Sequence, residues 1–405
     1  MKRTSNYKFQ VITYGCKLNQ AESEMISADL ISLGLQMTTT SSADFFIINS
    51  CSVTEKAESE VIKKLKIIKN KYPNSKIILT GCFAKNKLSG IDLRIKDKRS
   101  FVREFSSKFK INQNARDLAG ELKTNSRHPH RTFVKIQDGC NNFCAYCIVP
   151  ILRGLPQSRG AKDIIQDINE AEKQGLKEVV LTGVNVGLYH GGLVKLLKII
   201  LAQTNIPRIR LGSLWPTNVT PELIDLYAKE SRLCPHFHLS IQSGSNQILK
   251  SMGRQYTREE IFKIIKSCRA KIKNINFTCD IIVGFPGETA KDFQDTCDLI
   301  QKIGFSKVHI FQFSPRPNTR AAKMPDQIIG SIKQARYQKL SAIAKRVAGV
   351  VKINFKNKKL PVLWEGLATG YQYGFTDNYL RIKKKIKLRE NWENRIEYFI
   401  PKQFI

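Results

Sequence analysis

The sequence contains no apolar run long enough to cross a membrane and no apolar segment behind its basic first residues. A membrane-spanning helix needs roughly 18 or more consecutive apolar residues, and a secretory signal needs an apolar stretch where this chain has Ser5, Asn6, Lys8 and Gln10. The ten cysteines of the 405-residue chain lack the short-range framework of a small disulfide-rich secreted domain. We therefore expect a soluble, cytoplasmic, monomeric protein with two or three domains.

Acidic residues are also scarce. The chain has 34 Asp and Glu against 67 Lys and Arg, which gives a net charge of +33 at pH 7. A field of this sign attracts polyanions and makes their binding depend on salt concentration. RNA or DNA is therefore the leading class of partner. The alternative is a general lysine bias of the source proteome, which would give the same count without any function.

Three cysteines lie close together in the middle of the chain, in a loop that follows a strand-like run over residues 133–136. Cys140, Cys144 and Cys147, the core cysteine set, are separated by three and two residues, so their thiols can point inward together. Thiolates are the usual ligands of iron–sulfur clusters, and three of them leave one iron of a four-iron cube open to another ligand. A structural zinc site is the alternative, but it needs four ligands, and no fourth Cys or His follows just downstream.

A second group of cysteines is spread over the first hundred residues, and each member follows a strand-like run by two residues. These are Cys16, Cys51 and Cys82, the N-terminal cysteine set, after runs over 9–14, 45–49 and 76–80. Helical patterns separate the runs, and such βαβ crossovers make the strands parallel. Their carboxyl ends, and hence the three thiols, should meet at one edge of the sheet. We expect a second iron–sulfur cluster there; the alternative is three unrelated buried cysteines.

The order of strand-like and helical segments predicts an α/β protein of three domains. Residues 5–118 form an N-terminal domain with a parallel sheet. Between residues 126 and 350, six strand–helix units predict a partial (β/α)6 barrel whose reactive face is formed by the carboxyl-end loops. Residues 351–405 change to short strands and carry 12 Lys or Arg against 5 Asp or Glu. They predict a small β-barrel suited to RNA, although its aromatic residues would also suit a plain barrel core.

The core cysteine set, with Tyr146 before its last member, resembles the signature of the radical S-adenosylmethionine (SAM) superfamily. In that superfamily three thiolates hold a [4Fe-4S] cluster, the open iron binds SAM, and reductive cleavage of SAM gives a 5′-deoxyadenosyl radical. The two cysteine sets together make the whole chain resemble the methylthiotransferases of this superfamily. These enzymes have an N-terminal cluster domain, a radical SAM core and a C-terminal TRAM domain. The resemblance assigns an auxiliary [4Fe-4S] cluster to the N-terminal cysteine set and the SAM cluster to the core cysteine set.

The resemblance also implies a set of SAM contacts near strand ends of the core. Glycine lets the backbone approach a cofactor closely, and polar side chains supply hydrogen bonds to it. The implied cofactor-binding residues are Tyr146, Gly183, Asn185, Ser240, Gln242 and Asp280. For each glycine, a turn without any ligand is the alternative. An electron donor such as flavodoxin or ferredoxin would reduce the SAM cluster.

Four segments are similar to enzymes that act on N6-threonylcarbamoyladenosine beside the anticodon of tRNA. They are residues 15–20, 49–54, 313–319 and 376–379. The implied product is 2-methylthio-N6-threonylcarbamoyladenosine at position 37. One SAM would methylate a sulfur of the auxiliary cluster, and a second would yield the radical that removes hydrogen from C2 of adenine. The alternatives are isopentenyladenosine in tRNA, an aspartate of a ribosomal protein, or a non-catalytic iron–sulfur protein that binds RNA.

Two features of the second half bear on substrate contact. Lys383, Lys384, Lys385 and Lys387 form a cationic run in a strand-like segment, and the run predicts contacts with tRNA phosphates. Neighbouring side chains of a strand point to opposite faces, so about two of these lysines can reach phosphate together. A solvated charge run is the alternative. Trp215 stands where the family has an acidic residue, and the TRAM-like tail ends early.

Overall fold

The computed structural model describes residues 7–39, 42–52, 55–85, 88–111, 130–387 and 390–405. The chain divides into two compact units, Met1–Arg127 with Ile151–Arg153, and His128–Pro150 with Gly154–Ile405. The expected domain boundaries at residues 5, 118 and 126 lie outside the described residues, and the three-domain division stays a prediction. None of the described helices is both long enough and apolar enough to span a membrane.

The first unit contains a five-stranded parallel sheet with helices on both faces. Its strands are Lys8–Thr13 (β1), Gln36–Met37 (β2), Phe45–Ser50 (β3), Lys76–Gly81 (β4) and Leu93–Ile95 (β5), and its helices are Lys17–Ser32 (α1), Glu55–Lys71 (α2) and Phe101–Phe109 (α3). The strand order is β2-β1-β3-β4-β5. Alternate residues of β3 enter two separate cores, with Phe45 and Ile47 on one side and Phe46 and Ile48 on the other. The central strands are therefore buried on both faces, as parallel strands require.

The second unit begins with the predicted partial barrel. Its strands are Arg131–Lys135 (β6), Gln137–Asp138 (β7), Gln157–Ser158 (β8), Glu178–Thr182 (β9), Arg208–Leu211 (β10), Ser213–Leu214 (β11), His236–Gln242 (β12), Asn276–Val283 (β13) and Lys307–Gln312 (β14). Seven of these strands form two parallel sheets, β10-β9-β6 and β11-β12-β13-β14, and β7 pairs with β8 in a short antiparallel sheet. Only Gly212 separates β10 from β11, so one nearly continuous strand links the sheets. The predicted α/β class and partial barrel are confirmed.

Helices cover the outside of this barrel. They are Ala161–Lys173 (α5), Leu193–Gln203 (α6), Pro221–Lys229 (α7), Asn246–Ser251 (α8), Arg258–Lys271 (α9), Ala290–Ile303 (α10) and Gly330–Ile353 (α11); the division between the two units passes through a further helix, Val149–Arg153 (α4). Phe237, Leu239 and Ile241 of β12 pack with these helices in one large core. Side chains alternate along a strand, so His238 and Ser240 face the barrel interior.

The chain ends in a four-stranded antiparallel half-barrel, in the order β17-β16-β15-β18. Its strands are Leu360–Ala368 (β15), Tyr371–Thr376 (β16), Arg381–Lys385 (β17) and Ile396–Phe399 (β18). The sequence pattern predicts three strands here, over residues 360–364, 379–385 and 395–400. It does not predict β16, and the start of the second strand at residue 379 is wrong, because β17 begins at Arg381. Tyr379 has φ of +68°, a turn conformation that a strand residue does not adopt. Trp364 of β15 is fully buried and lies edge-on to Trp392 and Phe399.

A buried group of charges joins the half-barrel to the amino ends of β6, β9 and β10. Arg210 donates from Nε and Nη2 to the two carboxylate oxygens of Glu178, at 3.0 and 3.1 Å, and both side chains are fully buried. Arg208 donates to the backbone oxygens of Phe375 and Thr376, at 3.2 and 2.8 Å. Burial alone would raise the pKa of Glu178, but Arg210, Arg208 and Arg131 hold it well below its ordinary value. The half-barrel is therefore fixed to the barrel face opposite the carboxyl-end loops.

Candidate functional site

The core cysteine set lies in a loop at the carboxyl end of the first barrel strand, and the backbone of its neighbours fixes its path. Gly139 has φ of +69°, and a Cβ there would lie 2.1 Å from the backbone oxygen of Leu155, so only glycine fits. The amide of Cys140 donates to the oxygen of Gly154 at 3.0 Å. The amide of Cys147 donates to the oxygen of Cys144 at 3.0 Å, which closes a tight turn.

The three thiols of this loop influence one another. Burial, with a smaller contribution from the neighbours Cys144 and Cys140, raises the pKa of Cys147 to about 12. Burial also raises the pKa of Cys140, and Cys144 adds to that effect. The free thiols of Cys140 and Cys147 would stay protonated at neutral pH, whereas metal binding removes the proton from a coordinating thiol. The donor set suits an iron–sulfur cluster.

The N-terminal cysteine set lies at the carboxyl edge of the first sheet. Strands β1, β3 and β4 are direct neighbours, and Cys16, Cys51 and Cys82 follow their ends. A Cβ added to Gly15 would lie 2.8 Å from the Cβ of Cys51, so the loop carrying Cys16 passes directly against the loop carrying Cys51. The predicted meeting of the strand ends is what the sheet order produces.

Hydrogen bonds of α1 hold this edge together. The side chain of Asn19, one turn after Cys16, donates to the backbone oxygen of Ser50 at 3.1 Å and accepts from the Cys16 thiol at 3.3 Å. Cys51 and Cys82 are buried, whereas Cys16 is exposed. The site is thus closed on the sheet side and open at Cys16.

Across the described residues, no three His, Cys, Asp or Glu side chains are arranged to hold a single metal ion. A four-iron cube does not require such an arrangement, because each protein thiolate binds a different iron. Each set offers the three thiolates that a four-iron cube with one open iron needs, and the presence of a cluster on either set stays a prediction.

Two of the implied SAM contacts, Gly183 and Asn185, lie in the loop after β9 and pack against Gln137 of β7. A Cβ on Gly183 would lie 2.9 Å from the backbone oxygen of Gln137, and the amide of Asn185 donates to Gln137 Oε1 at 3.0 Å. The side chain of Asn185 accepts from the amide of Gly187 at 3.1 Å. Both residues shape the loop after β9 in this structure, and their contact with SAM stays a prediction.

The other implied contacts line the barrel interior or the floor of the cysteine loop. Asp280 is paired with His238, with 3.0 Å between Oδ2 and Nε2. Gln242 has φ of +76° where the pairing of β12 with β13 is irregular, and the backbone oxygen of Ser240 accepts from the hydroxyl of Tyr256 at 2.9 Å. Tyr146 packs with the small buried core beneath the cysteine loop. Contact of these residues with SAM also stays a prediction.

Arg254, which the sequence pattern does not single out, has its guanidinium beside the core cysteine set. Its Nη1 is 3.6 Å from the sulfur of Cys144, and its side chain lies over the ring of Trp215. Nothing in the local sequence distinguishes it from the many exposed arginines of this basic chain. The available signal was the tryptophan at residue 215, because an unusual aromatic at a strand end has to pack against something.

The lysine run divides between the two faces of β17. Lys383 and Lys385 are exposed on one face, opposite Tyr373 and Tyr371 of β16. Lys384 lies on the other face, with its Nζ 3.2 Å from the ring centre of Trp392. Lys387 is exposed beyond the end of the strand. Two lysines of the run therefore share a face, while RNA contact by any of the four stays a prediction.

Comparison with known proteins defines the class. Residues 134–300 match the model of the Radical SAM superfamily, and residues 8–102 match the model of Uncharacterized protein family UPF0004. The structure of the radical SAM methyltransferase TsrM from Kitasatospora setae is similar, with a TM-score of 0.59 and 15% identity, covering 79% of this chain and 77% of that chain. At this identity the likeness concerns the fold alone. The family model identifies residues 134–300 as a radical SAM domain.

The relatives define the family more closely. A threonylcarbamoyladenosine tRNA methylthiotransferase from Thermotoga maritima is 36% identical over 384 residues, covering 89% of this chain and 88% of the relative. A tRNA-2-methylthio-N(6)-dimethylallyladenosine synthase from Alkaliphilus oremlandii is 37% identical over 392 residues, covering 90% and 83%. The chain belongs to the radical SAM methylthiotransferase family. SAM and a [4Fe-4S] cluster are the cofactors that this membership implies.

Proposed function

We propose that this enzyme transfers a methylthio group to C2 of N6-threonylcarbamoyladenosine at position 37 of tRNA. The observation that carries the proposal is the presence of two three-cysteine sets, each at the carboxyl ends of parallel strands in its own unit. The core cysteine set would hold the cluster that binds SAM, and the N-terminal cysteine set would hold an auxiliary [4Fe-4S] cluster. An electron donor such as flavodoxin or ferredoxin would supply electrons in the cytoplasm.

The residues of the chain divide the work in this proposal. When bound to the core cluster and reduced by one electron, SAM would supply the radical chemistry at C2 and the methyl group. The core under the cysteine loop, formed by Ala145, Ile248, Met252, Phe285, Phe313 and Ala321, excludes water from one side of the loop. In the barrel interior, His238 and Asp280 offer paired hydrogen-bonding groups that would orient the bound molecules.

The half-barrel supplies the surface proposed for tRNA. Cross-strand pairs place Arg381, Lys383 and Lys385 opposite Phe375, Tyr373 and Tyr371. Lys383 also lies 4.7 Å from the ring centre of Tyr371. Alternating cations and aromatic rings can bind phosphates and stack on unpaired bases. This face would add affinity for the anticodon stem-loop without contributing to the chemistry.

The choice of adenosine rests on fewer observations. The two relatives act, by their names, on different modified adenosines, and their identities to this chain are 36% and 37%. The segment 376–379 does not face the reaction: the Asn378 side chain donates to the backbone oxygen of Asn274 at 3.1 Å, and Tyr379 lies under the guanidinium of Arg210. The segment 313–319 follows β14 at the carboxyl edge of the barrel, where a substrate group could contact it. Support for the threonylcarbamoyl group therefore comes from residues 15–20, 49–54 and 313–319.

Nucleoside mass spectrometry of tRNA tests the proposal. Cells lacking the gene should lose 2-methylthio-N6-threonylcarbamoyladenosine and accumulate the unmethylthiolated nucleoside. The wild-type gene should restore the product, and a Cys140→Ala gene should not. Loss of the methylthio derivative of isopentenyladenosine instead would identify isopentenyladenosine in tRNA as the substrate. Unchanged tRNA nucleosides would reject a tRNA substrate altogether.

A further inference from the structure

Arg254 is a buried cation in the second unit, under the loop of the core cysteine set. It follows α8, and only 6% of the residue is exposed. Its backbone is fixed by a hydrogen bond from its amide to the oxygen of Leu249, at 2.9 Å. A buried guanidinium normally pairs with a carboxylate, because removing an unpaired charge from water is costly.

The partners of Arg254 are aromatic rings, a backbone oxygen and a cysteine. The guanidinium carbon lies 3.8 Å from the ring centre of Trp215 and 5.3 Å from that of Tyr256. Nη2 donates to the backbone oxygen of Ser240, and Nη1 lies 3.6 Å from the sulfur of Cys144. The ion pairs found among the described residues do not include Arg254, and its buried Nε has no hydrogen-bond partner there. The positive charge is therefore not neutralised by a neighbouring carboxylate.

Trp215 packs against the Arg254 guanidinium without neutralising its positive charge. It occupies the position directly after β11. A carboxylate there would pair with the guanidinium, whereas the indole ring stacks on it and adds no negative charge.

We propose that Arg254, held between Trp215 and Tyr256, is a positioning residue that raises the reduction potential of the [4Fe-4S] cluster on the core cysteine set. The inference rests on the cluster assignment of the proposed function. Reduction adds one negative charge to the cluster. A hydrogen bond to a ligand sulfur and a nearby cation stabilise that charge, and hydrogen bonding, net charge and solvent exposure set cluster potentials. The low-polarity surroundings of Arg254 strengthen the interaction.

A redox titration of the reconstituted full-length enzyme, monitored by electron paramagnetic resonance without SAM, tests the inference. The core signal is the one that changes when SAM is added afterwards. Arg254→Gln should make reduction of this cluster roughly tenfold less favourable, a decrease of about 59 mV in midpoint potential for a one-electron couple. Arg254→Lys keeps the charge and should recover part of the shift. Trp215→Glu places a carboxylate beside the Arg254 guanidinium and should also lower the midpoint potential of the core cluster.

Arg258→Gln is the matched control. Arg258 lies four residues further on and is already paired with Asp295, at 3.0 Å, so its neutralisation should leave the core potential unchanged. The auxiliary signal should not move in any variant. If the Arg254→Gln enzyme holds no core cluster, the midpoint potential of Trp215→Glu tests the inference, because Arg254 remains in place in that variant.

Two failures can be told apart. An unshifted core potential in Trp215→Glu or in a cluster-loaded Arg254→Gln enzyme would overturn the inference and leave the proposed function standing. Absence of any signal that responds to SAM in the wild-type enzyme would overturn the cluster assignment itself, and the inference with it.

Discussion

The two cysteine sets place three thiols together by opposite means. The core set occupies residues 140–147, so one tight loop determines its geometry, and Gly139 with its left-handed conformation starts that loop. The N-terminal set runs from residue 16 to residue 82, and only the neighbouring positions of three parallel strands bring its members to one edge. A local site can be identified from spacing, whereas a site built across a sheet can be identified only from topology. The second kind also depends on the integrity of the whole sheet.

The sharpest way to separate the two sites is to remove one ligand from the N-terminal set. Cys51→Ala should eliminate methylthio product while reductive cleavage of SAM stays measurable, because only the auxiliary site loses a ligand. Chromatography of 5′-deoxyadenosine and of the tRNA nucleosides measures both reactions. Cys268→Ala is the control, since Cys268 is a buried residue of α9 that belongs to neither set. Loss of 5′-deoxyadenosine in Cys51→Ala, with the core cluster still loaded, would contradict the division of labour.

The second unit offers a different comparison, between its reactive carboxyl edge and its amino end. Glu178→Gln should leave Arg131, Arg208 and Arg210 near one another without their buried carboxylate. The free energy of unfolding should therefore fall by about 3–5 kcal/mol, the cost of removing one partner of a buried ion pair. Urea unfolding followed by tryptophan fluorescence reports this unit, because all 3 tryptophans, Trp215, Trp364 and Trp392, lie in it. Glu222→Gln is the control: Glu222 forms a solvent-exposed pair with Lys198, and such pairs contribute about 0–1 kcal/mol.

The difference in stability between wild type and Glu178→Gln should decrease at low pH. The folded-state pKa of Glu178 lies below its ordinary value, so its contribution is complete above the unfolded-state pKa of about 4.3 and falls as the pH drops towards the folded-state value. The gap in stability between wild type and Glu178→Gln should therefore narrow below about pH 4. A gap that stays constant with pH would mean that Glu178 is not the charge that stabilises this end.

The half-barrel predicts the smallest change. Replacing Lys383 and Lys385 together by Gln should weaken tRNA binding and lower the salt slope by roughly 0.7 to 0.9 for each lost phosphate contact. Lys384→Gln should change the slope little, because Lys384 packs against Trp392 on the other face. Cleavage of SAM without RNA should not change. An unaltered affinity and slope in the double variant would move tRNA recognition to other parts of the chain.

Much of this architecture could be predicted from sequence because it follows local rules. The barrel strands were found from their alternation with helices, and the N-terminal edge followed from the parallel order of its strands. The strand over residues 371–376 was missed because Gly374 and the following turn interrupt its pattern. The Glu178 cluster and Arg254 could not be found, because a buried charge and an exposed one look the same in a sequence, and only the tertiary structure supplies the partners.

The role of one motif also changed once its contacts were known. Residues 376–379 suggested a substrate preference, yet Thr376, Asn378 and Tyr379 contact the amino end of the barrel. The segment therefore attaches the half-barrel to the amino end of the barrel. Sequence similarity alone cannot distinguish a residue that touches substrate from one that fastens two parts of a fold.

Iron content measures most directly whether the chain carries two separate clusters. Anaerobically reconstituted wild-type protein should hold about eight irons per chain, because each three-cysteine set can support one four-iron cube. Replacing Cys140, Cys144 and Cys147 together by Ala should leave roughly half of the iron and remove the signal that responds to SAM. The matching triple Ala variant of Cys16, Cys51 and Cys82 should also lose half but keep that signal. Iron content unchanged by the core substitution would contradict the assignment of the two sites.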